Sequence, residues 1–327
     1  MESRAVIFER TGGPNVLKVV TLEVGEPGPG EVRIRNTAVG VNFSDVYTRA
    51  HNYRKVPLPA RLGYEGAGII DAVGPGVTKF RKGDRVAYGV DAYGAYADYH
   101  IHSASKTHHV PDGVSDQEAA AVISKAITVY SLIKRVYPVG AQDKVLLHSA
   151  AGGIGLIACQ WLKHIGATVI GTASTPEKMD LALQNGADHV IHYGHEDIAQ
   201  RVHEITGGEL ADVVFDGVGA PTFEASLSSL KARGCLVSFG QASGEPLSAA
   251  QMTSLLARTS IYFVKPAAKQ FFSSDEDLDA AAGEIFELVR SGVIRVKIHR
   301  QYAMEDVAQC HADLESRQTM GSCILVP

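Results

Sequence analysis

Apolar and polar positions follow two rhythms along the chain, and the change falls near residue 144. Before it, short apolar runs at 16–24, 31–39, 66–73 and 84–88 are cut by turns such as Gly25-Glu26-Pro27-Gly28-Pro29-Gly30 and Gly74-Pro75-Gly76. Within 31–39, Val32 and Ile34 alternate with Arg33 and Arg35. Short strands at this spacing predict a small barrel or sandwich. Ser115 is placed to cap a helix running through Glu118 to Val122. From 144 to 148 the chain reads as a buried strand, and the helix after it carries Ile154, Ile157, Trp161, Leu162 and Ile165 on one face until Gly166 stops it. A strand at 168–172 follows, and Thr175-Pro176-Glu177 opens a helix that Gly186 ends. Val190-Ile191, Ile198/Val202/Ile205, Val213-Val214-Phe215 and Leu236-Val237-Ser238-Phe239 continue the alternation. Strands alternating with helices of about ten residues predict a parallel sheet with helices on both faces. Two further amphipathic helices, 277–291 and 305–316, and a closing strand, 323–326, lie outside that series and are expected to return to the first domain.

Length and composition narrow the class. The chain has 327 residues, and at about 150 per domain that means two domains. Hydrophobic residues make up 45% and charged ones 20%, so a sizeable core is available and a disordered or collagen-like chain is excluded. The net charge of −5 argues against a protein that binds nucleic acid through a broad basic face. Cys159, Cys235, Cys310 and Cys323 lie far apart with no CxxC pair, which fits neither a disulfide framework nor a structural zinc knot. The opening Met1-Glu2-Ser3-Arg4-Ala5-Val6 lacks the apolar stretch of a secretory signal, and no apolar run reaches the length of a membrane span. The expectation is a reduced, soluble, cytoplasmic protein.

The strongest chemical signal is Ser149-Ala150-Ala151-Gly152-Gly153-Ile154-Gly155, between a predicted strand and a predicted helix. Read as A-x-G-x-x-G, it puts Ala150 at the tight turn, Gly152 where backbone approaches a pyrophosphate, and Gly155 where helix presses on sheet. Free N–H groups and the dipole at the helix start favour an anion there. An NAD site usually carries an acid about 20 residues on, at the ribose 2′-OH. Here Gly171-Thr172-Ala173-Ser174 has none; Ser174 offers a hydrogen bond and Lys178 a positive charge to a 2′-phosphate, which points to NADPH. Two other patterns are set aside. His189-x-x-His192-x-x-His195 straddles a strand end, where i, i+3 spacing separates the faces, and Tyr130-x-x-x-Lys134 precedes the glycine loop rather than following it. No G-x-S-x-G, P-loop or HExxH occurs.

A strand-rich first domain followed by a late A-x-G-x-x-G unit resembles the medium-chain dehydrogenase/reductase superfamily, and within it the NADPH-dependent quinone oxidoreductases of the zeta-crystallin group. The likeness spans the chain: Gly12-Gly13-Pro14-Asn15-Val16-Leu17, Val41-Asn42-Phe43-Ser44-Asp45-Val46-Tyr47, Gly63-Tyr64-Glu65-Gly66-Ala67-Gly68, the segment 148–161 and the ending 315–327. The resemblance implies an α/β fold, with a GroES-like β-barrel catalytic domain at 1–125 and 267–327 and a doubly wound Rossmann NADPH-binding domain at 126–266. It implies cofactor contacts at Ser174, Lys178, Tyr193 and Arg317 around the 2′-phosphate, and at Ala150, Ala151, Gly152, Gly153 and Ile154 under the pyrophosphate. Around the nicotinamide it implies Phe239, Gly240, Gln241, Val264, Lys265 and Pro266, with Thr128 reaching the carboxamide, and it implies further cofactor contacts at Phe43, Tyr130 and Val218. Substrate falls to Asn42, Asp45, Tyr47 and Tyr53. The chain departs from the group at Ala126, at Gln241-Ala242 and at His51-Asn52. Zinc-dependent members place a cysteine near 42–45 and a histidine just before Glu65; neither is present, so no metal is expected.

The implied activity is hydride transfer from NADPH to a quinone, which accepts hydride without a Lewis acid, followed by protonation. An enone or enal reductase on the same scaffold is the nearest alternative. A crystallin-like or RNA-binding protein that retains a cofactor site is a further one, which the negative charge disfavours. Residues 260–264 read as an edge strand, and such an edge invites pairing into a homodimer.

Overall fold

The computed structural model describes residues 1–51, 55–258 and 260–327. They divide into two units: Met1–Ile127 with Phe272–Gly292 and Val296–Pro327, and Thr128–Phe271 with Val293–Arg295.

In the first unit the short apolar runs become two sheets among the described residues. One has the order Leu17–Glu23, Glu2–Phe8, Ala60–Arg61; the other has the order Ile298–Ala303, Ser322–Val326, Glu31–Val41, Glu65–Val73, Arg85–Tyr88, Thr107–His109, with Tyr99–Ser103 also paired on Glu31–Val41. The closing strand Ser322–Val326 pairs antiparallel with Glu31–Val41, so the C-terminal stretch completes this sheet. Their inner faces, with the helix Val307–Glu315, enclose one apolar core around Val6, Phe8, Ile34, Val86 and Leu325. The expected alternation at 31–39 fails at Arg33. That side chain is buried because a register shift falls between Arg33 and Ile34, and because it is held by Asp71 at 2.7 Å and by the carbonyl of Gly25 at 2.9 Å.

In the second unit the strands run parallel in the order His189–His192, Thr168–Ala173, Lys144–Leu147, Ala211–Asp216, Leu230–Ser238, Tyr262–Val264. Counted along the chain this is 3-2-1-4-5-6, the doubly wound order that leaves a crevice where the winding reverses, at the C-terminal ends of Lys144–Leu147 and Ala211–Asp216. Local chemistry sets the helix ends. Gly166, left-handed at φ 95°, closes Gly153–Ile165, and the Thr175 side chain accepts from the Lys178 N–H at the start of Pro176–Gln184. The strand expected at 236–239 is longer, Leu230–Ser238, and Tyr262–Val264 lies at the sheet edge.

Ser115 and Glu118 form a reciprocal capping box on Asp116–Tyr130, each accepting from the other's backbone. That helix continues into a π-helical turn at Ser131–Val136, a geometry that recurs at functional sites.

Candidate active site

Two constellations carry chemistry, one in each unit. In the second unit the strand Lys144–Leu147 runs into the glycine loop at the switch point. The left-handed residue of this turn is Ser149, at φ 57°, and not Ala150, which is buried. The Ala150 N–H reaches the Thr172 carbonyl, and the Gly152 N–H that of Ser149. Gly155 is obligatory, because a Cβ there would stand 2.3 Å from the Ser149 carbonyl oxygen and 2.6 Å from that of Ala150. The helix begins at Gly153 with Gly152 as its cap, which has no side chain to occupy the first-turn N–H groups. An uncapped helix start behind a glycine turn is an anion cradle.

Beside it, the ends of Ala211–Asp216 and Leu230–Ser238 lead into loops that hold each other. Ala242 N–H bonds to the Gly217 carbonyl, Ser243 N–H to that of Val218, and the Phe239 ring occupies the space a Cβ on Gly217 would need. Val218, Phe239, Gly240 and Gln241 are thereby brought together on this rim. Val264 and Pro266 are half-buried and Lys265 exposed, just past the edge strand. Ser174 and Lys178 lie half-buried beyond the strand Thr168–Ala173, with the Lys178 N–H on the Thr175 hydroxyl at 3.3 Å. Tyr193 is exposed, and its N–H bonds to the Ala173 carbonyl. Thr128 is half-buried, and Tyr130 is packed edge-on against Trp161 at 6.0 Å under the Lys134 ammonium.

In the first unit the segment 42–47 opens the helix Phe43–His51. Glu65, with no exposed surface, is the hub beneath it. One oxygen accepts from Asn42 Nδ2 at 2.8 Å and from the Lys125 ammonium at 2.5 Å, and the other accepts from the Ser124 N–H at 2.9 Å. A carboxylate only accepts, so the Asn42 amide is fixed with its NH₂ toward Glu65. Gly40 makes room: a Cβ there would lie 2.2 Å from Glu65 Oε1. Asp45 is fully buried and accepts from the Asn42 N–H at 2.8 Å and the Gly63 N–H at 3.2 Å. Burial pushes its carboxyl up to about 7, opposed by the bonds from Asn42 and Tyr96. Asp45 therefore holds backbone in place and presents no surface to a substrate. Phe43 and Tyr47 are half-buried neighbours with ring centroids 6.1 Å apart. Arg317, exposed and left-handed at φ 60°, follows the helix Val307–Glu315. Tyr53 falls at 52–54, outside the described residues.

Reading the residues alone misses Glu65 and Lys125 as functional groups. The available signal was a lone charge in each of two apolar stretches, Lys125 within Ala119–Val129 above all. Among the described residues no group of three or more histidine, cysteine, aspartate or glutamate side chains is placed to hold a metal ion, and His192 and His195 merely face each other at 4.4 Å.

Comparison with known proteins covers the whole chain. The family model described as an alcohol dehydrogenase GroES-like domain matches residues 28–112, and that of a zinc-binding dehydrogenase matches residues 153–275. A quinone oxidoreductase of Pseudomonas aeruginosa is 43% identical over 99% of this chain and 100% of its own length. The crystal structure of Escherichia coli quinone oxidoreductase complexed with NADPH superposes with a TM-score of 0.96 at 41% identity, covering 99% of this chain and 100% of that one. A 2-haloacrylate reductase of a Burkholderia species is 38% identical over 99% of this chain and 98% of its own length.

Proposed function

The chain belongs to the quinone oxidoreductase family of the medium-chain dehydrogenase/reductase fold, and on that premise we propose that it reduces quinones with NADPH. The observation that carries the reading is the second unit's switch point: an uncapped helix start behind an obligatory Gly155, followed by a strand end that offers Ser174 and Lys178 in place of an acid.

The residues fit the cofactor. Gly153 and Ile154 offer backbone N–H groups to the pyrophosphate, Gly152 lets the backbone approach it closely, and Ser174 and Lys178, with Tyr193, take the 2′-phosphate. Val218, Phe239, Gly240, Gln241, Val264, Lys265 and Pro266, with Thr128 and Tyr130, serve the nicotinamide half. When bound, NADPH supplies the hydride. Asn42, its amide pinned by Glu65, keeps its second N–H to donate to a substrate carbonyl, with Tyr47 on the helix that follows it. Asp45 holds the turn from which Asn42 projects. The protein's contribution is position and exclusion of water rather than new chemistry.

The test is oxidation of NADPH against NADH with 1,4-benzoquinone, for wild type and Lys178→Ala. Preference for NADPH that disappears in the variant supports the reading, and equal use of both cofactors by wild type sinks it. The likeness to 2-haloacrylate reductase supports a second reading, reduction of a C=C bond conjugated to a carboxyl or carbonyl group. Turnover of such an acceptor with none of benzoquinone would select it.

We further infer a homodimer that continues the parallel sheet across Tyr262–Val264, where Tyr262 is 62% and Leu256 82% exposed. A monomeric mass in light scattering would refute it. The four free, buried cysteines accord with a reducing, cytoplasmic setting, and no helix among the described residues is long and apolar enough to cross a membrane.

A further inference from the structure

The two rims of the second unit's switch point are joined by a chain of buried polar groups that the proposed reaction does not use. Asp216, 1% exposed, stands at one end. One of its oxygens accepts the N–H groups of Val218 at 2.8 Å and Gly219 at 3.0 Å, and the other accepts the Ser226 hydroxyl at 2.8 Å; Thr222 Oγ1 is within 2.9 Å of both. Ser226 thus uses its one proton on Asp216. His148 Nε2, 2.9 Å from Ser226 Oγ, is left as the donor of that contact. A neutral ring with its proton on Nε2 has a bare Nδ1, and the Thr172 hydroxyl lies 3.2 Å from it, placed to donate. Thr172 Oγ1 in turn accepts the Ser149 N–H at 3.3 Å. Every proton in the series is assigned, and they all run one way, from the glycine loop to Asp216.

We propose that His148 is a positioning residue for the dinucleotide: as a neutral imidazole protonated on Nε2, it locks the glycine loop and the loop 217–219 into one cofactor-binding arrangement. The proposal rests on the reading that NADPH lies on the glycine loop. At one end the chain fixes the N–H of Ser149, the residue whose left-handed backbone makes the turn. At the other it fixes Val218 and Gly219, which carry the loop 240–243 through the Gly217 and Val218 carbonyls. A second proton on the ring would place an N–H against the Thr172 oxygen. The Thr172 hydroxyl would then lose its acceptor, and the direction of the series would break at its centre. Burial holds His148 below its ordinary value of 6.5, opposed by Asp216, the charged group that acts on it. The lock is therefore complete above pH 6.5 and is released only where the solution is acid enough to protonate the buried ring.

Two measurements decide this. Nitrogen NMR of histidine-labelled wild type at about pH 7.5, with and without NADPH, should show a His148 with bare Nδ1 and protonated Nε2. A proton on Nδ1 overturns the proposal without any variant. NADPH dissociation constants are then measured from about pH 8 down to about pH 5.5 for wild type, His148→Gln and His148→Leu. Above pH 7 the leucine variant should bind about tenfold more weakly, with the glutamine variant, which can still donate and accept, between the two. Wild type should weaken on acidification more steeply than either variant; titration of the cofactor's own 2′-phosphate is common to all three and cancels in the comparison. Parallel pH profiles with equal affinities would overturn the proposal while leaving NADPH binding intact. Absence of NADPH binding by folded wild type would instead overturn the reading beneath it.

Discussion

Each unit buries a polar cluster beneath its own candidate residues, and the two are built on opposite principles. In the first unit, Glu65 and Lys125 are a pair of full charges with almost no exposed surface, and the Asn42 amide takes its orientation from them. In the second, one carboxylate, Asp216, gathers backbone and hydroxyl donors, and the rest of the cluster is neutral imidazole and hydroxyl. A buried charge pair is unforgiving, because removing one partner leaves the other desolvated and alone. A neutral chain tolerates loss of a member better but depends on where each proton sits. The first cluster is accordingly expected to fail by loss of a charged partner and the second by a misplaced proton.

The sharpest way to break that contrast is Lys125→Met. The Glu65 carboxylate would keep only two neutral donors, and the loss should be about 3–5 kcal/mol, read as a lower midpoint in urea. Lys125→Met combined with Glu65→Gln should regain part of it, a non-additivity that marks the pair as coupled. Full additivity would show that Lys125 contributes packing alone. In the second unit, Ser226→Ala should cost less than either single change at the pair.

Acid separates the units next. His100, His102, His108 and His311 are buried in the first unit, and burial pushes His102 down to about 4 and His311 to about 3. The unfolded chain binds these protons from about pH 6.5 downward, ahead of the folded one. Their contribution is therefore complete above that pH and falls away as the solution acidifies through the folded values. For His102 the loss is of order 3 kcal/mol by pH 4. Asp45 runs the other way, since its carboxyl is raised to about 7 and its contribution declines as pH rises. Unfolding measured between about pH 7 and pH 4 should show a steep loss that His102→Phe flattens; an unchanged slope would sink the account. Gly155→Ala tests the second unit alone. Its Cβ meets two backbone carbonyls, so NADPH affinity should fall at least about tenfold, while quinone-site variants such as Tyr47→Phe leave that affinity unchanged.

How much of this was legible in the sequence follows the same divide. The second unit could be read in detail because its determinants are local. The glycine loop, the Gly166 stop and the Thr175-Pro176 start each act within a few residues, and they appear where the pattern put them. Even so, the left-handed residue proved to be Ser149, because a glycine fingerprint names the chemistry of a turn and not the residue that makes it. The first unit resisted because its determinants are distant. Glu65 and Lys125 are 60 positions apart and Arg33 and Asp71 are 38 apart. Nothing in a strand's own alternation announces that its arginine will be paired from another strand. His148 belongs with these: Ser226 lies 78 positions away, and the role of the imidazole is visible only when the series of protons is closed.

The smallest expected effect compares one motif in two settings. Ser115 with Glu118 and Ser248 with Gln251 are both capping boxes, and replacing a cap serine by alanine costs about 1 kcal/mol where the helix is integral to the fold. Asp116–Tyr130 presents Ala119 to Ile123 to the interior with almost no exposure. Ala249–Ala257 has no fully buried residue. A cap stabilises the native state only as far as the helix it starts is coupled to global unfolding. Ser115→Ala should thus lower the unfolding free energy by nearly the whole amount. Ser248→Ala should leave it almost unchanged and show instead as faster amide exchange confined to 249–257. If the dimer forms across the neighbouring edge strand, Ala249–Ala257 becomes coupled to assembly, and the cost of Ser248→Ala should then rise with protein concentration. Equal costs for the two changes at every concentration would mean that both helices unfold only with the whole protein, and that the second unit's edge is as firmly held as the first unit's buried helix.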